Sequence, residues 1–215
     1  MNTFHTRPDP APPRDLRSLP PRHNELVLLR PWTADDLPVI AEASVDPYIP
    51  LITTIPAHYT PDQGAAWLQR QTDQAATRKG CPLAIVATTT DEVVGLATIN
   101  TIDWTHRRGN IGYWILDRHR GLGYAKAAVT LLIEIGTELG LIRLQALIEP
   151  DNTASQTVCN TCGFTREGIL RHYHRIGHTN RDMIMFARIL PTDPNDSTAV
   201  SGSASEQTHS DSSNI

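Results

Sequence analysis

The sequence predicts an α/β fold, a mixed central sheet with helices on both faces, and three observations point to it. Short apolar, β-rich runs recur at 26–30, 82–88, 93–99, 110–116, 142–148, 164–169 and 183–189, which makes about seven strands. Between some of them lie runs with apolar residues at helical spacing, most clearly Ala128, Leu131, Leu132, Ile135 and Leu139. The order is strand, two helices, three strands, helix, strand, helix and two strands, which is the pattern of one sheet covered by helices.

Each element has a local reason. The strand at 26–30 alternates weakly. Thr33 stands where a helix needs a cap, and Asp35 and Asp36 in the next turn suit the positive end of its dipole. Ile40, Ala41 and Ala43 form that helix's apolar side, and residues 44–60, rich in Pro, Thr and Tyr, read as irregular. Thr60 is placed to cap a second helix, Pro61 fits its first position, and Ala65, Trp67 and Leu68 give it an inner face before Gly80. The runs 82–88 and 93–99, joined by a short turn at 89–92, read as a hairpin. A loop at 103–109 leads into the strand 110–116. The helix at 127–139 ends at Gly140, and 142–148 is again a strand. Asp151 or Asn152 caps a short helix that reaches Cys162 and stops at Gly163, and two strands complete the chain.

The 215 residues carry a net charge of -4. Residues 1–22 hold a proline cluster, and residues 191–215 turn to Ser, Thr, Asn and Asp with no Lys or Arg. Both have too little apolar surface to offset the entropy of ordering, so disordered tails are expected around a domain at 23–190. That domain is nearly neutral and shows no basic face for nucleic acid. No apolar run is long enough to span a membrane and no signal-peptide core is seen, so a cytoplasmic protein is expected. Cys81, Cys159 and Cys162 are an odd number, against a disulfide framework. Cys159 and Cys162 share a helix face and read as buried thiols, with no metal site implied.

The stretch Arg118-His119-Arg120-Gly121-Leu122-Gly123-Tyr124-Ala125 joins a strand to a helix. Glycines at such a junction let successive N–H groups converge on an anion beside the helix N-terminus, an arrangement suited to a pyrophosphate. The spacing fits neither GxGxxG nor GxxxxGK[ST].

Trp114-Ile115-Leu116 followed by Arg118-x-x-Gly121-x-Gly123-Tyr124-Ala125 resembles the core motif of the GCN5-related N-acetyltransferases (GNAT). Glu149-Pro150-Asp151-Asn152-Thr153-Ala154-Ser155, then Cys162-Gly163-Phe164, resembles the signature of their RimJ/RimL-type branch. Leu28-Leu29-Arg30-Pro31-Trp32 and the segment from Tyr59 to Trp67 are similar to the same branch. The resemblance covers about residues 25 to 190. It implies a mostly antiparallel sheet, acetyl-CoA as co-substrate, and transfer of its acetyl group to a primary amine. The acceptor it implies is a protein N-terminus or a small amine such as an antibiotic or metabolite, attacked directly in a ternary complex. A homodimer is also within its range.

By the same resemblance, backbone groups from His119 to Ala125 (through Arg120, Gly121, Leu122, Gly123 and Tyr124) hold the pyrophosphate, with cationic help from Arg118 and Arg120. Ile115 and Leu116 meet the pantetheine arm on a splayed strand, and an amide there, assigned to Ile115, polarises the thioester carbonyl. Asn152 bonds the pantetheine, and Ser155 hydrogen-bonds or protonates the departing thiolate. Cys159 is the alternative to Ser155 and stands where many acetyltransferases carry a Tyr. Asn110 stands where the branch usually carries an acid, and Lys126-Ala127 where it tends to have Thr-Glu. Asp103, Glu149 and His106 are therefore the candidate bases. Tyr48, His58, Tyr59, His172, Tyr173, His174 and His178 are candidates for the acceptor mouth. The loss of an acid at Asn110 also admits a second reading, a non-catalytic acetyl-CoA-binding sensor or interaction module.

Overall fold

The computed structural model describes residues 15–191. Its strands are β1 (Arg22–His23), β2 (Val27–Pro31), β3 (Gly80–Ala87), β4 (Val93–Asp103), β5 (Arg108–Ile115), β6 (Arg143–Ile148), β7 (Thr165–Ile176) and β8 (Thr179–Ile189). Its helices are α1 (Leu37–Ser44), α2 (Ile49–Ile52), α3 (Pro61–Ala76), α4 (Tyr124–Glu138) and α5 (Thr153–Thr161). The strands form one sheet in the order β1-β2-β3-β4-β5-β6-β8-β7. Every neighbouring pair is antiparallel except β5 and β6. Eight strands stand where about seven were expected; the addition is β1, which pairs Arg22 with Leu29 and His23 with Leu28.

Two apolar layers sandwich the sheet. One collects Ile40, Ala43, Ile49 and Trp67 from α1 to α3 over Ala84, Val86, Leu96 and Trp114. The other sets Ala128, Leu131, Leu132 and Ile135 of α4 and Cys159 of α5 against Ile85, Ala97, Ile111 and Leu144. Alternate residues of β3, β4 and β5 supply the two layers, as pleating requires. Among the described residues no helix is long and apolar enough to cross a membrane.

The caps follow the sequence closely. Thr60 Oγ1 accepts the Gln63 N–H at 3.2 Å, and Asn152 Oδ1, the one of the two candidate caps that does so, accepts the Ser155 N–H at 3.0 Å. At Thr33 the chain first makes a 3-10 turn (Ala34–Asp36) before α1. There Asp36 accepts the Thr33 N–H at 2.8 Å and both Arg30 guanidinium nitrogens at 2.7 and 2.8 Å. Burial alone would raise the Asp36 carboxyl, but Arg30 and Thr33 outweigh it and hold it below the usual carboxylate range. A carboxyl depressed on folding stabilises the native state above its unfolded pKa and loses that contribution as pH falls through its folded value. The melting temperature is therefore expected to fall as pH drops from about 4 downward, and Asp36→Asn should flatten part of that fall in a calorimetric pH series.

Some elements were hidden in the sequence. The stretch 44–60 carries α2, with Ile49 and Ile55 buried, where only irregular chain was expected. β7 and β8 run well beyond 164–169 and 183–189, because their outer ends are polar and exposed and carry no apolar signal. Most of the two expected tails, residues 1–14 and 192–215, lie outside the described residues. Residues 15–22 belong to the tail expectation too, yet Leu16 on a 3-10 turn (Leu16–Ser18) is 2% exposed and joins the α4-side core.

Candidate active site

The glycine stretch follows β5 directly. A 3-10 turn (Asp117–His119) closes first, the His119 N–H donating to Leu116 O at 2.9 Å and Arg120 N–H to Asp117 O at 3.1 Å. Gly121 and Gly123 then adopt φ of +78° and +85°, and Gly123 is the left-handed N-cap of α4. This bend leaves the N–H groups of residues 121–126 without internal partners among the described residues. The unpaired donors thus begin at Gly121 rather than at His119, because the N–H groups of His119 and Arg120 are already committed to the turn.

Both arginines are engaged by carboxylates of the chain itself. Arg118 pairs with Glu42 of α1, Nε to Oε1 at 2.9 Å. Arg120 donates to Ile115 O at 3.1 Å, Asp117 at 2.9 Å and Asp46 at 2.6 Å. Asp46 in turn accepts the N–H groups of Tyr48 and Ile49, so Arg120 ties the loop to the α1–α2 segment. Burial would raise the Asp46 carboxyl, but these N–H donors and Arg120 reverse the effect and hold it low. The two guanidinium groups expected to meet the coenzyme are therefore occupied as struts. The His119 ring packs edge-on to Tyr124, and its Nε2 is buried without a hydrogen bond.

β5 and β6 pair only at Arg108↔Arg143, Gly109↔Leu144 and Asn110↔Gln145. Beyond that point they part, β5 staying with β4 and β6 with β8. The Leu116 N–H donates to Val94 O at 2.9 Å, which fixes the alternation. The odd-numbered residues Ile111, Tyr113 and Ile115 then turn their backbone groups toward the opening. Of these, the Ile115 C=O is taken by Arg120 and its N–H is not. Leu116 faces β4 instead, so its backbone donor cannot serve in the opening. Asn110 closes the narrow end, where its Oδ1 accepts from Gln145 Nε2 at 3.2 Å.

α5 lines the α4-side flank. Ser155 lies in its first turn, and Tyr113, Cys159 and Cys162 belong to the apolar layer on that side, the Tyr113 hydroxyl buried without a hydrogen-bond partner among the described residues. Burial pushes the Cys159 thiol up to about 12, so it stays protonated, as the Ser155 hydroxyl does.

Past the end of β6 stands Glu149, 5% exposed. It accepts from the Tyr48 hydroxyl and from Arg181 Nε at 2.7 Å, while Arg181 also reaches Asp151 at 2.7 Å. Among the three candidate bases only Glu149 is at this end of the sheet. Asp103 and His106 bond each other at 2.8 Å in the β4–β5 turn, at the far end of β5 from the glycine bend. His172 has its N–H on Asp182 at 2.9 Å, and the described residues hold no cluster able to bind a metal. Sequence reasoning missed Tyr113 and Arg181. Tyr113 was legible in principle, since strand alternation puts it on the same side as Ile111 and Ile115. Arg181 comes from a strand end that the apolar pattern did not reveal.

Residues 27–165 match the model of the acetyltransferase (GNAT) domain. The chain is 32% identical over 166 residues to an uncharacterized N-acetyltransferase, p20, of Bacillus licheniformis, covering 77% of this chain and 93% of that protein. It is 30% identical over 101 residues to the ribosomal-protein-serine acetyltransferase of Escherichia coli (strain K12), covering 46% of this chain and 56% of that one. The solved structure of Mycobacterium smegmatis RimJ in complex with CoA-disulfide is 25% identical with a TM-score of 0.67, covering 76% of this chain and 81% of that one. On this domain match and this identity, the chain belongs to the GNAT family and is an acetyl-CoA-dependent N-acetyltransferase.

Proposed function

We propose that the acceptor is the free α-amine of a polypeptide, brought to the mouth at Tyr48, Glu149 and Arg181 while the coenzyme lies in the opening between β5 and β6. The observation that carries this reading is the opening between β5 and β6, which runs from the Ile115 N–H to the unpaired donors of the 121–126 bend and fits an extended, diphosphate-bearing thioester. When bound, acetyl-CoA supplies an acetyl group activated for attack by an amine. The N–H groups of residues 121–126 hold the diphosphate, aided by the α4 dipole. The Ile115 N–H polarises the carbonyl, a contribution that typically amounts to about 10²–10³ in rate. Asn152 and Ser155 meet the arm and the sulfur.

Glu149 keeps an unused lone pair on each carboxylate oxygen beside Tyr48 and Arg181. It accepts the amine's proton, through water, at the mouth. Burial and then Glu149 itself push the Tyr48 phenol above its ordinary range, so Tyr48 remains a donor that orients the carboxylate. A protein acceptor is further supported by the ribosomal-protein-serine acetyltransferase among the relatives and by the exposed Tyr173 of the neighbouring hairpin.

The test is a peptide panel with free or blocked N-termini, read by mass spectrometry. Acetylation confined to free α-amines supports the reading; equal turnover of simple alkylamines overturns it. Ser155→Ala should lower kcat by about 10- to 100-fold, the weight of one hydrogen bond to a charged group, with coenzyme affinity nearly intact. An unchanged rate would remove Ser155 from the mechanism.

A further inference from the structure

Arg120 is linked by hydrogen bonds to both ends of the proposed site. Each of its guanidinium nitrogens is committed: Nε to Ile115 O at 3.1 Å, Nη1 to Asp117 at 2.9 Å and Nη2 to Asp46 Oδ2 at 2.6 Å. The Asp46 side chain is 8% exposed, and its other oxygen accepts the N–H groups of Tyr48 at 2.8 Å and Ile49 at 2.9 Å, at the start of α2. The Tyr48 hydroxyl then donates to Glu149, whose second oxygen accepts from Arg181 Nε at 2.7 Å. An unbroken path therefore runs from the glycine bend through Asp46 and Tyr48 to the buried carboxylate just past β6. A planar fork held at all three nitrogens, facing a carboxylate with both oxygens in use, leaves Tyr48 little freedom to shift.

We propose that Arg120 is a positioning residue for acetyl transfer, which sets the Tyr48–Glu149 pair through Asp46 and does not bind the coenzyme diphosphate. The inference rests on the reading of Glu149 as the group that takes the amine's proton. An arginine in the bend is the natural partner for an anion. Turning it toward one, however, breaks three bonds that the chain already makes and leaves the Asp46 carboxylate, largely shut off from water, without its cation. The same guanidinium holds Ile115, so it ties the residue whose N–H is proposed to face the thioester to the carboxylate proposed to receive the proton. Such a tie protects the spacing between amine and carbonyl, and a small misplacement there costs rate rather than coenzyme affinity.

The test is steady-state kinetics on whichever amine of the panel above the parent chain acetylates, with acetyl-CoA affinity measured by calorimetry. The variants are Arg120→Gln, Arg120→Lys, Asp46→Asn, Tyr48→Phe and Glu149→Gln. Asp46→Asn is the mildest, because an amide oxygen still accepts the Tyr48 and Ile49 N–H groups and the fold keeps that cap. Arg120→Gln and Asp46→Asn should each lower kcat about tenfold and leave the acetyl-CoA Kd within about twofold of the parent. Combined with Tyr48→Phe, neither should lower kcat much further, since the hydrogen-bonded path is already broken. Arg120→Lys should regain little, a single ammonium being unable to span Ile115, Asp117 and Asp46. A clear loss of acetyl-CoA affinity in Arg120→Gln that Arg120→Lys restores would make Arg120 a coenzyme ligand and overturn the proposal. Losses in kcat that simply multiply with that of Tyr48→Phe also overturn it, leaving Arg120 a brace for the fold. Full activity of Glu149→Gln overturns the reading of Glu149 and this inference with it. An inactive Glu149→Gln beside independent effects at Arg120 and Tyr48 overturns this inference alone.

Discussion

Gly123→Glu should abolish measurable acetyl-CoA binding, a loss of at least about 100-fold, while the domain stays folded. Two effects combine. The carboxylate would stand among the N–H groups of residues 121–126, where an anionic diphosphate is proposed to sit, and like charges at close range in a partly dry site repel strongly. The backbone at φ +85° also resists any side chain, at a cost of about 1–2 kcal/mol, which biases the bend toward another shape. The space itself is open, the nearest atom to a new Cβ being Leu26 Cδ1 at 3.6 Å, so the fold has no clash to relieve. Calorimetric titration paired with thermal denaturation checks both halves, and retained affinity in a folded variant would remove the bend from the coenzyme site.

The largest effect on stability is expected at Trp67→Ala. Trp67 on α3 is 1% exposed and meets Trp32 edge-on with ring centroids 5.0 Å apart; Trp32 continues to Trp114 of β5 at 6.3 Å. Removing the first ring leaves a cavity that neighbouring aromatic rings cannot collapse into, for a loss of about 3–5 kcal/mol in urea unfolding. Coenzyme affinity of the remaining folded fraction should change little, since Trp67 packs in the apolar layer opposite α4 and α5. A loss under about 1 kcal/mol would mean that α3 is loosely docked.

The chain announced its fold where local chemistry and apolar rhythm agreed. Thr60-Pro61 fixed the start of α3, and Gly140 and Gly163 marked real helix ends with positive φ. The glycine bend was visible because a turn of that hand favours residues without a Cβ. What stayed hidden depended on partners distant in sequence. Nothing local says that Arg118 will reach Glu42 or that Arg120 will brace Asp46, since both read as loop cations free to meet an anion. The candidate bases could not be separated either, because Asp103 and Glu149 differ only in which end of the sheet carries them. Leu16 escaped notice amid prolines, since a single apolar residue has no period.

The narrow attachment of β6 to β5 bears on how this domain can be cut. The family match spans residues 27–165 and stops short of β1, nearly all of β7 and the whole of β8. A fragment trimmed to those limits would strip β6 of its antiparallel neighbour and leave it hanging by the pairs at 108–110 and 143–145. It would also bare the margin of β2 to any passing chain, an invitation to aggregate. Dissecting the protein therefore calls for boundaries outside Leu16 and Leu190, both of which lie in the apolar interior.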